Sequence, residues 1–269
     1  MPDVQLPTGI RLHYEIVGDG EPLLLLPGTG QGGKLWADQV AGYKSRYRCI
    51  LVDNRGAGQS EAPTSGYTIR AMAEDASALL DHIGVSRCHV SGQSMGTGIG
   101  QELAINWPEK VATLQLHSTW DRPYPHLVRQ LLFRRELALR EEWELFALNS
   151  AQLLFPPAFS NRNPQELERR QKLLFENHAT SRGLVGHYDA DIAFTSEGRL
   201  GAIKAPTLIT VGSADLTTLP EYNLRVLEQI PGAVMHVFEG AGHLPFIEQV
   251  DVFNWLTLGF LAQHPLSQA

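Results

Sequence analysis

Cysteine is scarce in this chain of 269 residues: Cys49 and Cys88 are the only two, and each lies in an apolar stretch. That argues against a disulfide framework or a cysteine-rich zinc site, and the pair reads as small buried hydrophobes in a reducing compartment. Long hydrophobic runs are missing too. The densest, Pro22 to Pro27, falls far short of the roughly 20 apolar residues that a membrane-spanning helix needs. Met1-Pro2-Asp3-Val4 has neither the basic nor the apolar region of a secretory signal, so the expectation is a cytoplasmic protein without membrane insertion. Positive charge is in deficit: 22 Lys and Arg against 29 Asp and Glu give a formal net charge of −7, which offers no footprint for nucleic-acid phosphates. No His-x-x-x-His or Cys-rich spacing supports a metal. No Gly-x-Gly-x-x-Gly follows a strand where a nucleotide would need it, and Gly28, Gly30 and Gly33 only partly mimic that pattern. The expected partner is a small-molecule substrate, with no cofactor and no metal.

What is present is an ordinary globular composition, 43% hydrophobic with 25 Gly and 16 Pro scattered along the chain. Ile10 to Val17 alternates in polarity like a half-buried strand, whereas Leu23 to Leu26 and Cys49 to Val52 are uniformly apolar, which suits strands covered on both faces. Leu35 to Tyr43 could hold a short helix. Thr68 is a candidate N-cap for a helix stopping at Gly84, because Ile69, Met72, Ala76, Leu79, Leu80 and Ile83 recur at helical spacing. Strand and helix then alternate: a strand near Cys88 to Gly92, a helix from about Ser94 to Trp107, and a strand Val111 to His117. The end of the chain resumes with a strand Thr207 to Val211, a helix Glu221 to Gln229, a strand Val234 to Phe238 and a helix ending near Ala262. This order implies an α/β fold, doubly wound and mostly parallel, with the first hairpin as an antiparallel edge. Between 119 and 204 no strand pattern is visible, and Asn163-Pro164 starts a helix expected to run to about His178. The reading is a core of residues 1–118 and 205–269 with an inserted helical cap, 119–204.

Chemistry concentrates at Gly92-Gln93-Ser94-Met95-Gly96, between a strand and a helix. A nucleophilic serine needs a tight turn that lifts its hydroxyl clear of the backbone, and small flanking residues let the neighbouring chain approach. It also needs a base and an orienting acid. His243, in Gly240-Ala241-Gly242-His243-Leu244-Pro245, and Asp215, in Gly212-Ser213-Ala214-Asp215, follow the last two strands in the order serine, acid, histidine, which places all three at one carboxyl edge of the sheet. An oxyanion hole requires two backbone N–H groups. Met95 supplies one, and Thr29, in Pro27-Gly28-Thr29-Gly30, is the best source of the other.

Together these loops resemble the α/β-hydrolase superfamily over essentially the whole chain. Asp53-Asn54-Arg55-Gly56-Ala57-Gly58-Gln59-Ser60 is similar to that superfamily's D-x-R-G-x-G-x-S loop, and the helical segment 119–204 to its cap. Many members have His-Gly where this chain has Pro27-Gly28, so a side-chain hydrogen bond from position 27 is not available here. The resemblance is nearest the small esterase and enol-lactonase group. It implies a serine hydrolase of carboxylic esters or lactones working through an acyl-enzyme at Ser94, with Gly28, Trp120, Leu216 and Leu244 in the substrate pocket. Alternatives on the same fold are a carbon–carbon bond hydrolase or another Ser-His-Asp reaction, or a receptor-like ligand-binding protein with incidental turnover.

Several residues compete with these assignments. His117 could face the pocket, although a core position suits it better, and Asp121 lies where some superfamily members carry their acid. Asp53 and Arg55 read as a buried or loop-organising pair. Asp189 and Asp191, in the cap, are expected to face solvent or to cap helices.

Overall fold

The computed structural model describes residues 3–176 and 179–266. Eight strands form one sheet in the order β1-β2-β4-β3-β5-β6-β7-β8: β1 (Asp3–Gln5), β2 (Arg11–Val17), β3 (Glu21–Leu26), β4 (Tyr47–Asp53), β5 (Cys88–Gln93), β6 (Val111–His117), β7 (Thr207–Gly212) and β8 (Val234–Phe238). β1 and β2 pair antiparallel, as does β2 with β4, and every other pairing is parallel.

The alternation of side chains explains why the apolar runs are continuous. In β3, Leu24 and Leu26 join the core beneath α2 (Ile69–His82) and α3 (Met95–Asn106). Leu23 and Leu25 point the other way, into a second core built with Trp36, Tyr43 and Phe253 from α1 (Ala37–Tyr43), α11 (Val250–Ala262) and the turn before α1. A strand buried on both faces has no polar face to show. Thr68 caps α2 by accepting from the Ala71 N–H at 3.0 Å, and the helix stops at Gly84, whose φ is +69°.

β3 pairs with β4 on one side and β5 on the other, so the chain reverses its winding direction there. Loops leaving the carboxyl ends of β3 and β5 consequently diverge and open a crevice, where ligands bind in sheets of this type.

Between β6 and β7 the described residues hold no strand but five α-helices, α4 (Pro125–Leu139), α5 (Trp143–Leu154), α6 (Pro157–Arg162), α7 (Pro164–Glu176) and α8 (Ser181–Ala193), and a 3-10 turn Leu200–Ala202. The Leu- and Arg-rich stretch 126–154 splits into α4 and α5 because Glu141 takes a left-handed conformation, φ 58°. The expected end of α7 at His178 lies outside the described residues. Three local readings are amended: Asp3–Gln5 adds an edge strand, a 3-10 turn Gly33–Trp36 precedes α1, and, beyond α9 (Pro220–Gln229) between β7 and β8, a short α10 (Pro245–Glu248) precedes α11.

Candidate active site

Ser94 stands at the junction of β5 and α3 with φ 50° and ψ −120°, a backbone conformation costly for any residue with a Cβ. The surroundings enforce it. A Cβ on Gly92 would run into the carbonyl of Gly96, and one on Gly96 into the carbonyl of Leu26 on β3, so only glycine permits the strand and helix to close on the turn. The Ser94 N–H is tied to the His117 carbonyl at 2.9 Å, and its own carbonyl accepts from both Thr97 N–H and Thr97 Oγ1 at 2.7 Å.

His243 and Asp215 meet at the ends of β8 and β7. The imidazole donates from Nδ1 to Asp215 Oδ2 at 2.9 Å, which leaves Nε2 as the acceptor. Asp215 is held in turn: Oδ1 accepts from the N–H groups of Thr217 and Thr218 at 2.8 and 3.0 Å, and Oδ2 from Thr218 Oγ1 at 2.9 Å. These three donors fix the orientation of the buried carboxylate against the imidazole. The His243 loop is braced by His243 N–H on the Leu154 carbonyl at 3.0 Å and by Ser118 Oγ on the His243 carbonyl at 3.1 Å.

The competitors are occupied elsewhere. Asp121 accepts from Tyr124 Oη and Gln229 Nε2, each at 2.7 Å, at the base of the cap. His117 lies in the core between Trp36 and Phe253, bonded to Ser91 and Thr210, and burial pushes its pKa down to about 3. Asp53 and Arg55 do not pair with each other. Asp53 binds the N–H groups of Gly33 and Gln59, while Arg55 forks onto Asp75 with two contacts of 2.7 Å.

The Pro27–Gly30 loop runs past the elbow so closely that a Cβ on Gly28 would strike the Gln93 side chain and lie 3.4 Å from Ser94 Cβ. The first N–H of a helix has no intrahelical partner, so Met95, first in α3, presents a free donor beside Ser94. Cap helix α8 clamps the same loop. Thr29 Oγ1 donates to Asp191 Oδ2 at 2.6 Å, and Gly30 N–H donates to His187 Nδ1 at 3.0 Å. His187 Nε2 in turn donates to the Arg55 carbonyl at 2.6 Å. Burial pushes Asp191 up to about 7 and His187 down to about 4. Asp191 is therefore not a solvent-facing acid, as expected from sequence, but a buried tether; Asp189 does lie at the surface, paired with Arg135. The spacing of His187 and Asp191, one helical turn apart, was the signal available.

A cavity of about 660 Å³ opens on Ser94, His243, Gly28, Thr29 and Leu244. Its cap side includes Leu131, Arg134, Phe146, Leu154, Phe155 and Tyr188. Trp120 and Leu216, expected in the pocket, are not on its walls. Trp120 is only 2% exposed and packs edge-on against Phe194 under the cap, because the chain turns inward after Thr119, whose N–H binds Asn223. Leu216 is 46% exposed on the outer surface, where its carbonyl accepts from Gln130 of α4. A larger hollow of about 890 Å³ lies between residues 62–67 and α8, away from Ser94 and His243.

Among the described residues no helix is long and apolar enough to cross a membrane, and no cluster of potential metal ligands is found. The chain is 31% identical to a protein of Azorhizobium caulinodans assigned by name as the carbamate hydrolase RutD, over 94% of this chain and 95% of that protein. Among solved structures it resembles a thermophilic esterase from Thermogutta terrifontis with malate bound, at 26% identity and a TM-score of 0.89, over 98% of this chain and 100% of that one. The enol-lactonase of Burkholderia xenovorans, also 26% identical, gives a TM-score of 0.86 over 97% and 100% of the two chains. Residues 21–250 match the family described as the alpha/beta hydrolase fold, so the chain belongs to that family.

Proposed function

We propose that this protein is a serine hydrolase of carboxylic esters or lactones that acts through an acyl-enzyme at Ser94. The observation that carries the reading is the His243–Asp215 pair, whose geometry leaves Nε2 free as a base on the same cavity wall as a serine held in a strained turn. Ser94 Oγ attacks the carbonyl carbon while His243 Nε2 takes its proton. The N–H groups of Thr29 and Met95 receive the oxyanion, and His243⁺, stabilised by Asp215, then gives the proton to the departing alkoxide. Water repeats the attack on the acyl-enzyme by the same proton route and frees the acid. A serine in place of a carboxylate nucleophile, together with relatives named as an esterase, an enol-lactonase and a carbamate hydrolase, supports acyl transfer to water as the reaction class.

The test is a panel of short acyl esters, small lactones and carbamates, run with a fluorophosphonate probe. Wild-type protein should be labelled at Ser94 and turn over at least one class. Ser94→Ala should lose labelling and lower kcat on the order of 10⁶-fold with an unchanged circular dichroism spectrum. Activity of Ser94→Ala within about tenfold of wild type refutes the reading.

A further inference from the structure

The cap end of the cavity carries polar groups that attack at Ser94 does not use. Arg134 of α4 lines the cavity with Phe146 and Tyr188. Its guanidinium lies 4.9 Å from the centre of the Phe146 ring and 5.7 Å from that of Tyr188. Nη2 donates to Ser150 Oγ at 2.8 Å, which fixes the fork, and no carboxylate among the described residues hydrogen-bonds it. Nε is enclosed without a hydrogen-bond partner, and the neighbouring Tyr188 hydroxyl, also enclosed, has no partner other than the Arg134 guanidinium beside it. Nη1 makes no hydrogen bond that would tie it elsewhere, and the residue lines the cavity.

Buried donors without acceptors are rare, and each calls for an explanation. Packing alone explains Arg134 poorly, because Met or Leu would fill the space over Phe146 without the cost of desolvating a charge. Burial pushes Tyr188 up to about 12, so its hydroxyl keeps its proton at working pH. Asp191 feels the Arg134 charge but is not on the cavity wall, and its Oδ2 is bound to Thr29. Of the basic residues on the cavity walls, Arg169 and Arg170 are both paired with Glu166, which leaves Lys34 and Arg134 against Glu15, Asp38 and Asp53. Of these acids, Asp53 already has both oxygens on backbone N–H groups.

We propose that Arg134, flanked by Tyr188, forms a carboxylate subsite, so that the preferred substrate is an ester or lactone bearing a second, free carboxylate remote from the scissile carbonyl. A guanidinium fork that is already oriented suits a planar carboxylate. The inference rests on the ester- or lactone-hydrolase reading for its kinetic readout.

The experiment compares kcat/KM for the monoethyl esters of succinate, glutarate and adipate with ethyl butyrate, pentanoate and hexanoate. Wild-type protein should favour the charged ester at one chain length, and Arg134→Gln should lower the charged-to-neutral ratio there by about 10- to 100-fold. Arg134→Lys should lose less, since it keeps the charge, and Tyr188→Phe should reduce the same ratio about fivefold. If Arg134→Gln does not fold, the Lys and Phe variants decide. A wild-type preference for neutral esters at every length, or a ratio that Arg134→Gln leaves unmoved, overturns the proposal while neutral-ester turnover and Ser94 labelling still uphold the hydrolase reading. If neither ester turns over, calorimetric titration with glutarate decides separately: binding that Arg134→Gln abolishes supports the subsite, and no binding to wild type at millimolar glutarate overturns it.

Discussion

Replacing Asp191 by Asn tests the clamp between cap and loop through its dependence on pH. The carboxyl is fully enclosed, holds one hydrogen bond from Thr29 Oγ1 at 2.6 Å and has no partner for Oδ1. Burial raises it from an ordinary 3.8 to about 7. Below pH 4 both folded and unfolded chains are protonated and the group costs nothing. Between about 4 and 7 the unfolded chain releases its proton while the folded one keeps it, so stability falls as pH rises; above 7 the loss is complete and constant. A shift of this size corresponds to on the order of 4 kcal/mol. Asp191→Asn cannot ionise, and its amide oxygen can still accept from Thr29. Urea unfolding at pH 4 and pH 8 should therefore show the variant gaining on wild type by up to ~4 kcal/mol at the higher pH. Turnover at pH 8 should stay within about tenfold of wild type, whereas Asp191→Ala, which frees the Thr29 side chain, should lower kcat more than it changes KM. Parallel stability curves for wild type and Asp191→Asn would show that the carboxyl ionises in its normal range and refute the argument.

Asp215→Asn should lower kcat by about 10⁴-fold, because the amide disturbs the imidazole tautomer that leaves Nε2 as base, while Asp121→Asn should affect thermal stability and leave the chemistry nearly intact. The opposite ranking in a steady-state assay would move the acid to Asp121. For acyl-chain preference, Leu131→Ala enlarges the cavity wall and should change relative kcat/KM between short and long acyl esters by about 10-fold or more. Trp120→Ala, by contrast, should cost roughly 3–5 kcal/mol in denaturant unfolding with an unaltered preference; a changed preference would place Trp120 on the substrate.

The sheet was legible because its strands obey simple rules. Val111 to His117 and Val234 to Phe238 match the observed β6 and β8 residue for residue, and the Thr68 cap starts α2 where its hydroxyl implies. The grouping of Ser94, Asp215 and His243 followed from loops at the carboxyl ends of three parallel strands, whose positions topology dictates. What lay beyond reach depended on the third dimension of the cap. Helical spacing says which residues share a stripe of α4 or α8 but not which neighbour the stripe meets. For that reason Trp120 was expected over the substrate and Arg134, Tyr188, His187 and Asp191 were not. Short elements also escaped: the three residues of β1 are too few for a period to declare itself.

The clamp on the Thr29 loop bears on how substrate comes and goes. Thr29 is tied to Asp191 and Gly30 to His187, while Gly183 of α8 packs so tightly on Gly56 that a Cβ there would collide with the Gly56 carbonyl. A cap swinging away as a rigid door would pull on the Thr29–Gly30 loop beside Ser94, which the proposed mechanism uses to receive the oxyanion. Traffic is thus expected through the standing mouth of the cavity, with side chains rather than helices yielding. The same coupling restricts exchange of the cap: a replacement without groups at the places of His187 and Asp191 would leave the Thr29–Gly30 loop without its two ties.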